Sequence, residues 1–180
     1  MNECRDRIVR DFARWTALSA LRSGAPVKSR ADVYPLLDQV RFGDVLLGSE
    51  PITPAQFDAW HKGTTESLCA RDSRLVIGWG AKLINVCLKS AGYIGGMGRP
   101  GLKESLHPAI DAGLWDGLGE RFRNRTAILH EVHCLRRIKD IGDYPTYRRI
   151  IEGCRLVAAE LGCLLIEVEQ LGLGSATPRV

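Results

Sequence analysis

The 180-residue chain has no apolar run of membrane-spanning length, which argues against a helical membrane protein. Its first residues, Met1-Asn2-Glu3-Cys4-Arg5-Asp6-Arg7, lack the apolar core of a secretion signal, so the expected location is cytoplasmic. Internal repeats, linkers and low-complexity segments are also missing, so the expectation is a single helical domain over 1–180. The six cysteines, at 4, 69, 87, 134, 154 and 163, include no C-x-x-C pair and no four-cysteine run. That pattern argues against a zinc ribbon and an iron–sulfur cluster. Cys87, Cys154 and Cys163 sit among apolar neighbours and read as small core residues in a reducing compartment. Charge of one sign is scarce too. Lys and Arg total 25 against 21 acidic residues, a formal charge of +4 that permits a nucleic-acid partner without requiring one. The basic residues concentrate between 121 and 155, at Arg121, Arg123, Arg125, Arg136, Arg137, Lys139, Arg148 and Arg149. The plain reading of that stretch is a solvated face.

What the chain does have is helical periodicity, and the expected fold class is mostly α. Over 5–22, Ile8, Phe12, Trp15, Leu18 and Leu21 recur at three- and four-residue steps and predict an amphipathic helix ended by Ser23-Gly24-Ala25-Pro26. A short helix is expected over 31–41 and a loop from Gly43 to Pro51. Thr53-Pro54 is a helix start, with Thr as cap and Pro in the first turn. That helix carries Phe57 and Trp60 and is expected to stop near Gly63, with another short helix over 64–73. Gly78-Trp79-Gly80 reads as a tight turn and 81–93 as a helix. A Gly-rich loop follows, then a short helix over 111–118, helices over 126–139 and 143–161, and a strand or helical turn over 164–168.

The segment from Val76 to Asp111 carries the chemistry. Glycines at a helix N-terminus let backbone approach a ligand, and free N–H groups there favour an anion such as a DNA phosphate. In the helix that follows, Leu83, Ile84, Cys87, Leu88 and Ala91 form an apolar face, leaving Lys82, Asn85 and Lys89 on the polar one. Asp111 stands at the start of the next helix, where an N-cap role is common. His130 and His133 have H-x-x-H spacing but no accompanying carboxylate motif, so neither a metal nor a cofactor is expected.

Ile77-Gly78-Trp79-Gly80-Ala81-Lys82 resembles the hairpin of the helix–hairpin–helix DNA glycosylase superfamily, in particular its 8-oxoguanine DNA glycosylase branch. In that branch an apolar-Gly-apolar-Gly-x-Lys turn opens a helix bearing the nucleophilic lysine, and a proline and the catalytic aspartate follow a loop. The corresponding residues are Lys82, Pro108 and Asp111, and Trp115 also matches the pattern. The resemblance covers about 40 residues, with hairpin and catalytic segment at about 64–118. The chain departs from the pattern in carrying Pro108-Ala109-Ile110-Asp111, one residue longer than Pro-x-Asp, and Asn85 where an acidic residue is frequent. It is also short for the family.

The resemblance implies a monomer that acts on double-stranded DNA, flips out a modified base and cuts it from its sugar. Lys82 would be the nucleophile, losing its proton with help from burial or from Lys89; Asp111 would stabilise positive charge on the sugar or activate water. Gly78, Trp79, Gly80, Lys89 and His107 would contact DNA, and Trp60, Tyr93 and Trp115 would line the base pocket. For His107 a satisfied structural histidine is the plainer reading. The substrate the resemblance implies is an oxidised purine in DNA repair; the longer Pro-to-Asp spacing and small size leave room for a hypermodified pyrimidine instead, in defence against phage. The alternatives are a non-catalytic helix–hairpin–helix module that grips DNA, and a helical interaction protein.

Overall fold

A computed structural model of the chain describes residues 3–21 and 24–172. Among them the chain is mostly α-helical and forms no β-strand. The helices are α1 (Glu3–Ser19), α2 (Arg30–Asp38), α3 (Gly43–Leu46), α4 (Pro54–Arg71), α5 (Ile77–Leu88), α6 (Leu102–Ser105), α7 (Ala112–Arg121), α8 (Thr126–Val132) and α9 (Tyr144–Leu161). A π-helical turn, Lys89–Ile94, extends α5, and 3-10 turns cover Ile138–Asp140 and Leu165–Leu171. No helix among the described residues is long and apolar enough to cross a membrane.

Helix α5 is the axis of the packing, because every one of its residues is buried. Trp79, Leu83, Ile84, Val86, Cys87 and Leu88 join the apolar cluster made with α1, α2 and α4. Ile77 and Ala81 join the second cluster, made by α7, α8 and α9. Of the polar face, Lys82 and Asn85 are buried with the rest and Lys89, in the extension, is partly exposed.

Three expected boundaries move, the first for a packing reason. Thr53 caps α4 in a full capping box with Gln56, as its sequence suggests, but the helix runs through Gly63 to Arg71 instead of stopping. Phe57, His61, Thr65 and Leu68 form one buried stripe on it. That burial outweighs the roughly 1 kcal/mol that glycine costs a helix. The 43–51 segment contains the single turn α3, and the expected 126–139 helix stops at Val132.

Helix α1 is turned relative to its expected face. Ile8, Phe12 and Trp15 are 61%, 48% and 54% exposed. Asp6, Ala13 and Ala17 are buried instead, with Val9 partly buried. The buried stripe lies one position along, a rotation of about 100° about the helix axis. Small residues let α1 lie close on α5, and Thr16 Oγ1 meets Ser90 Oγ at 2.8 Å. Arg22 and Ser23, where this helix was expected to end, lie outside the described residues.

The arginines of 121–155 are largely offset by carboxylates. Arg125 pairs with Glu160, Arg136 with Asp116, Arg137 with Asp140, Arg148 with Glu152 and Arg149 with Glu131. These exposed pairs fit the plain reading of a solvated face. Burial pushes the thiols of Cys87 and Cys154 up to about 12, as inert core positions require. Cys163 is only partly buried.

Candidate active site

Gly78-Trp79-Gly80 is the first turn of α5, not a tight turn before it. Its N–H groups are already spent. Gly78 N donates to Ile141 O at 3.0 Å, and Trp79 N and Gly80 N donate to Val76 O at 3.0 and 3.1 Å. The glycines face the chain itself. A Cβ on Gly78 would run into the carbonyl oxygen of Ile138, and one on Gly80 would lie 2.8 Å from Cys69 Sγ. Glycine is needed here for helix packing, and the expected phosphate contact of Gly78 and Gly80 is corrected accordingly.

Lys82 follows one turn into α5. Packing draws its stem into the core, leaving the residue 6% exposed. Its Nζ lies 3.3 Å from Asp111 Oδ2, so two groups 29 positions apart form one ion pair. Asp111 is the N-cap of α7, where its Oδ1 accepts the Leu114 N–H at 3.1 Å. The cap geometry holds one carboxylate oxygen and turns the other to the lysine. The Asp111 side chain remains 45% exposed, and the pair opens on one side to solvent.

That side is a cleft of about 940 Å³. Trp79, Lys82 and Lys89 come from α5 and its extension, Asp111 from the α7 start, Phe12 from α1 and Glu169 from the last 3-10 turn. Trp79 therefore lines the site with its ring, 6.0 Å from Lys82 Nζ, although its backbone makes no anion cradle. Lys89 also faces the cleft, but its ammonium is engaged by the Glu169 carboxylate. The second Glu169 oxygen accepts the Ala109 N–H at 2.6 Å.

The remaining expected site residues lie elsewhere. Trp115 is fully buried in the second core, donating its indole N–H to Val132 O at 2.9 Å. Trp60 packs on Phe57 and Phe42, away from the cleft. The Tyr93 hydroxyl donates to Glu167 at 2.6 Å, and its ring is not part of the cleft wall. These three are corrected as base-pocket residues, because packing or a polar partner takes each of them. Phe12, which periodicity puts on the apolar face of its helix, joins Trp79 as a cleft aromatic.

His107 is not at the surface either. It is buried in a polar centre with His61, Asn85, Tyr144 and Tyr147. The proton directions close when both histidines are neutral. The Tyr144 hydroxyl donates to His61 Nδ1 at 2.9 Å, with the Asp58 carbonyl a longer second acceptor at 3.4 Å, and His61 Nε2–H donates to Asn85 Oδ1 at 2.8 Å. Asn85 Nδ2 donates to Pro108 O and to the Tyr147 hydroxyl, both at 2.9 Å. Tyr147 in turn donates to His107 Nδ1 at 3.0 Å, and His107 Nε2–H donates to Asp58 at 2.9 Å. Arg155 closes the chain on both Asp58 oxygens at 2.9 Å. Burial is the main force lowering both histidine pKa values, aided at His61 by the His107 charge and opposed at His107 by Asp58. The expected DNA contact of His107 is thus replaced by a satisfied structural role. Asn85 also finds its reason here: it must accept one proton and donate two, which a carboxylate cannot do.

His130 and His133 do not converge. The first lies against Glu131 and Arg149, and the second meets the Trp115 carbonyl at 3.0 Å. Compared with protein-family models, with curated proteins and with solved structures, the chain matches none.

Proposed function

We propose that the protein is a DNA glycosylase that excises a modified base, with Lys82 and Asp111 as its catalytic pair. The observation that carries this reading is the 3.3 Å approach of an otherwise buried amine to a half-exposed carboxylate at the wall of an open cleft. Asp111 Oδ2 is placed to take the ammonium proton. The freed amine then attacks C1′ of the sugar, the C1′–N bond breaks, and the base leaves with the bonding electrons and is protonated. Asp111 hands that proton on to the departing base and, ionised again, offsets the positive charge that develops on the sugar. The nitrogen lone pair then expels the ring oxygen, which is protonated, to give an iminium between Nζ and C1′; transfer of a C2′ proton to water and departure of the 3′ phosphate cut the strand. In the other branch Asp111 activates water at C1′ and only the base is released. A cleft of about 940 Å³ lies near the upper end of the roughly 300–1,000 Å³ common for ligand sites. It has room for an extruded nucleotide carrying either an oxidised purine or a hypermodified pyrimidine. Repair of DNA and defence against phage both fit such chemistry.

Because the Gly78, Trp79 and Gly80 N–H groups are occupied, the DNA backbone has to be held chiefly by other groups. Exposed Lys139, next to the cleft-lining Ile138, is one candidate. The spent N–H groups weigh against a module whose only task is to grip phosphates through that turn. One observation favours a different class, a helical interaction protein: Ile8, Phe12, Trp15 and Ile94 are all large, apolar and exposed.

Borohydride trapping on abasic DNA and on DNAs carrying different modified bases separates these readings. A covalent adduct is expected with the wild type and none with Lys82→Ala. Mass spectrometry of the released bases identifies the substrate. If Lys82→Ala and Asp111→Asn both leave base release intact, the site is wrongly assigned. Absence of salt-sensitive DNA binding would instead support the interaction protein.

A further inference from the structure

The loop that delivers Asp111 to Lys82 has no regular structure of its own from Leu106 to Ile110, so its position must be imposed by contacts. Two side chains hold its backbone. Asn85 takes the Pro108 carbonyl from the core side, as part of the buried centre. Glu169 takes the Ala109 N–H at 2.6 Å from the cleft side, only two residues before Asp111. Glu169 is itself held twice: its other oxygen is bound by the Lys89 ammonium, and its 3-10 turn is seated on α7. That seat is close, since a Cβ on Gly117 would overlap the carbonyl oxygen of Leu171. A bond from a backbone N–H to an ionised carboxylate is among the stronger hydrogen bonds available to a loop.

We propose that Glu169 is a positioning residue that sets Asp111 against Lys82 through the Ala109 amide. Glu169 touches the loop and not the reacting atoms. Its consequence for rate rests on the base-excision reading, whereas its consequence for the loop does not. The two amides to follow are Ala109, which Glu169 binds, and Leu114, which Asp111 binds as N-cap.

Amide hydrogen exchange on the full chain measures the loop directly. In Glu169→Ala, exchange at Ala109 and at Leu114 is expected to rise by about 10-fold or more, with protection in the middle of α9 retained. Glu169→Gln keeps an acceptor oxygen and is expected to restore most of the Leu114 protection. Lys89→Met leaves the Ala109 bond in place and is expected to change Leu114 by less than about 3-fold. Single-turnover base release at saturating DNA should then fall by about 10- to 100-fold in Glu169→Ala, with rescue by Glu169→Gln. Wild-type protection of Leu114 in Glu169→Ala overturns the proposal, and so does undiminished single-turnover release. A protein that shows the exchange pattern but releases no base from any DNA retains the positioning role and loses the base-excision reading.

Discussion

Two polar centres share helix α5, and they differ in how completely they are satisfied. Around Asn85, every donor has an acceptor and Tyr147, His61 and His107 are buried. Around Lys82, one turn earlier, the amine meets a carboxylate whose side chain is still half open to the cleft. The residue types suggest chemistry in both places. Only the second leaves valence directed at a space that a ligand can enter. The first is bonded on all sides and can do little but hold α4, α5, α9 and the Pro108 loop in register. Titratable residues gathered together are therefore not enough to mark a site; an unfinished bonding pattern facing a cleft is the better sign.

The most severe way to break this comparison is to cut each centre once. Asn85→Ala removes the acceptor of His61 and leaves Pro108 O and the Tyr147 hydroxyl without a donor. Each unsatisfied buried group costs about 1–3 kcal/mol, so a loss of about 3 kcal/mol or more is expected. Lys82→Met removes a pair that is open to solvent on one side, and the expected cost is about 1 kcal/mol or less. Urea unfolding of the two variants measures the contrast. Equal losses would mean that the Lys82 pair is as much a structural element as the buried centre.

Acid sharpens the comparison further. The histidines of the buried centre are held neutral, with pKa values below the ordinary 6.5. Unfolding returns them to that ordinary value, so below it the unfolded chain binds more protons than the folded one. Stability is then fully present above about pH 6.5 and falls as pH drops toward the folded values, by at most about 1.4 kcal/mol per pH unit for each ring. Asp58 is shifted down chiefly by His107 and Arg155 against the opposing effect of burial, and it adds its own loss only below the ordinary carboxylate range. Thermal melts between pH 7.5 and 5 are expected to show the decline, and His61→Gln should flatten it. A flat profile in the wild type would show that the rings are not buried neutral.

How much of this could be read from the sequence depends on the range of the contact responsible. Local signals were read well: Thr53-Pro54 opens α4, Asp111 caps α7, and the Tyr147–Val157 stripe of α9 is buried. Lys82 and Asp111 could be paired because a family pattern links them, and the structure places them in contact. Periodicity failed for α1, because alanines carry the buried stripe and contribute little apolar weight beside Phe12 and Trp15. The glycines of α5 suggest a ligand because sequence cannot say what approaches a missing Cβ; the neighbours are Ile138 and Cys69. Glu169 and the partners of His107 were out of reach for the same reason. Their contacts join residues 60 and 40 positions apart, with no local pattern to announce them.

The smallest expected effect on folding concerns Phe12, and it separates the wall of the cleft from its chemistry. The side chain is half exposed, lies 5.7 Å from the Trp15 ring and borders the cleft that holds Lys82 and Asp111. Because its helix is anchored by Ala13 and Ala17, removing the ring should change stability by no more than about 0.5 kcal/mol. If the cleft receives a base, the ring is available to stack on it, and such contacts contribute about 1–3 kcal/mol. Phe12→Ala is then expected to weaken binding of substrate DNA by about 5- to 100-fold while its melting temperature stays at the wild-type value. Trapping through Lys82 at saturating DNA should persist, since amine and carboxylate are untouched. Unchanged DNA affinity would remove Phe12 from the site and leave the exposed stripe of α1 to the interaction-protein reading, whereas a large fall in melting temperature would show that the ring belongs to the core after all.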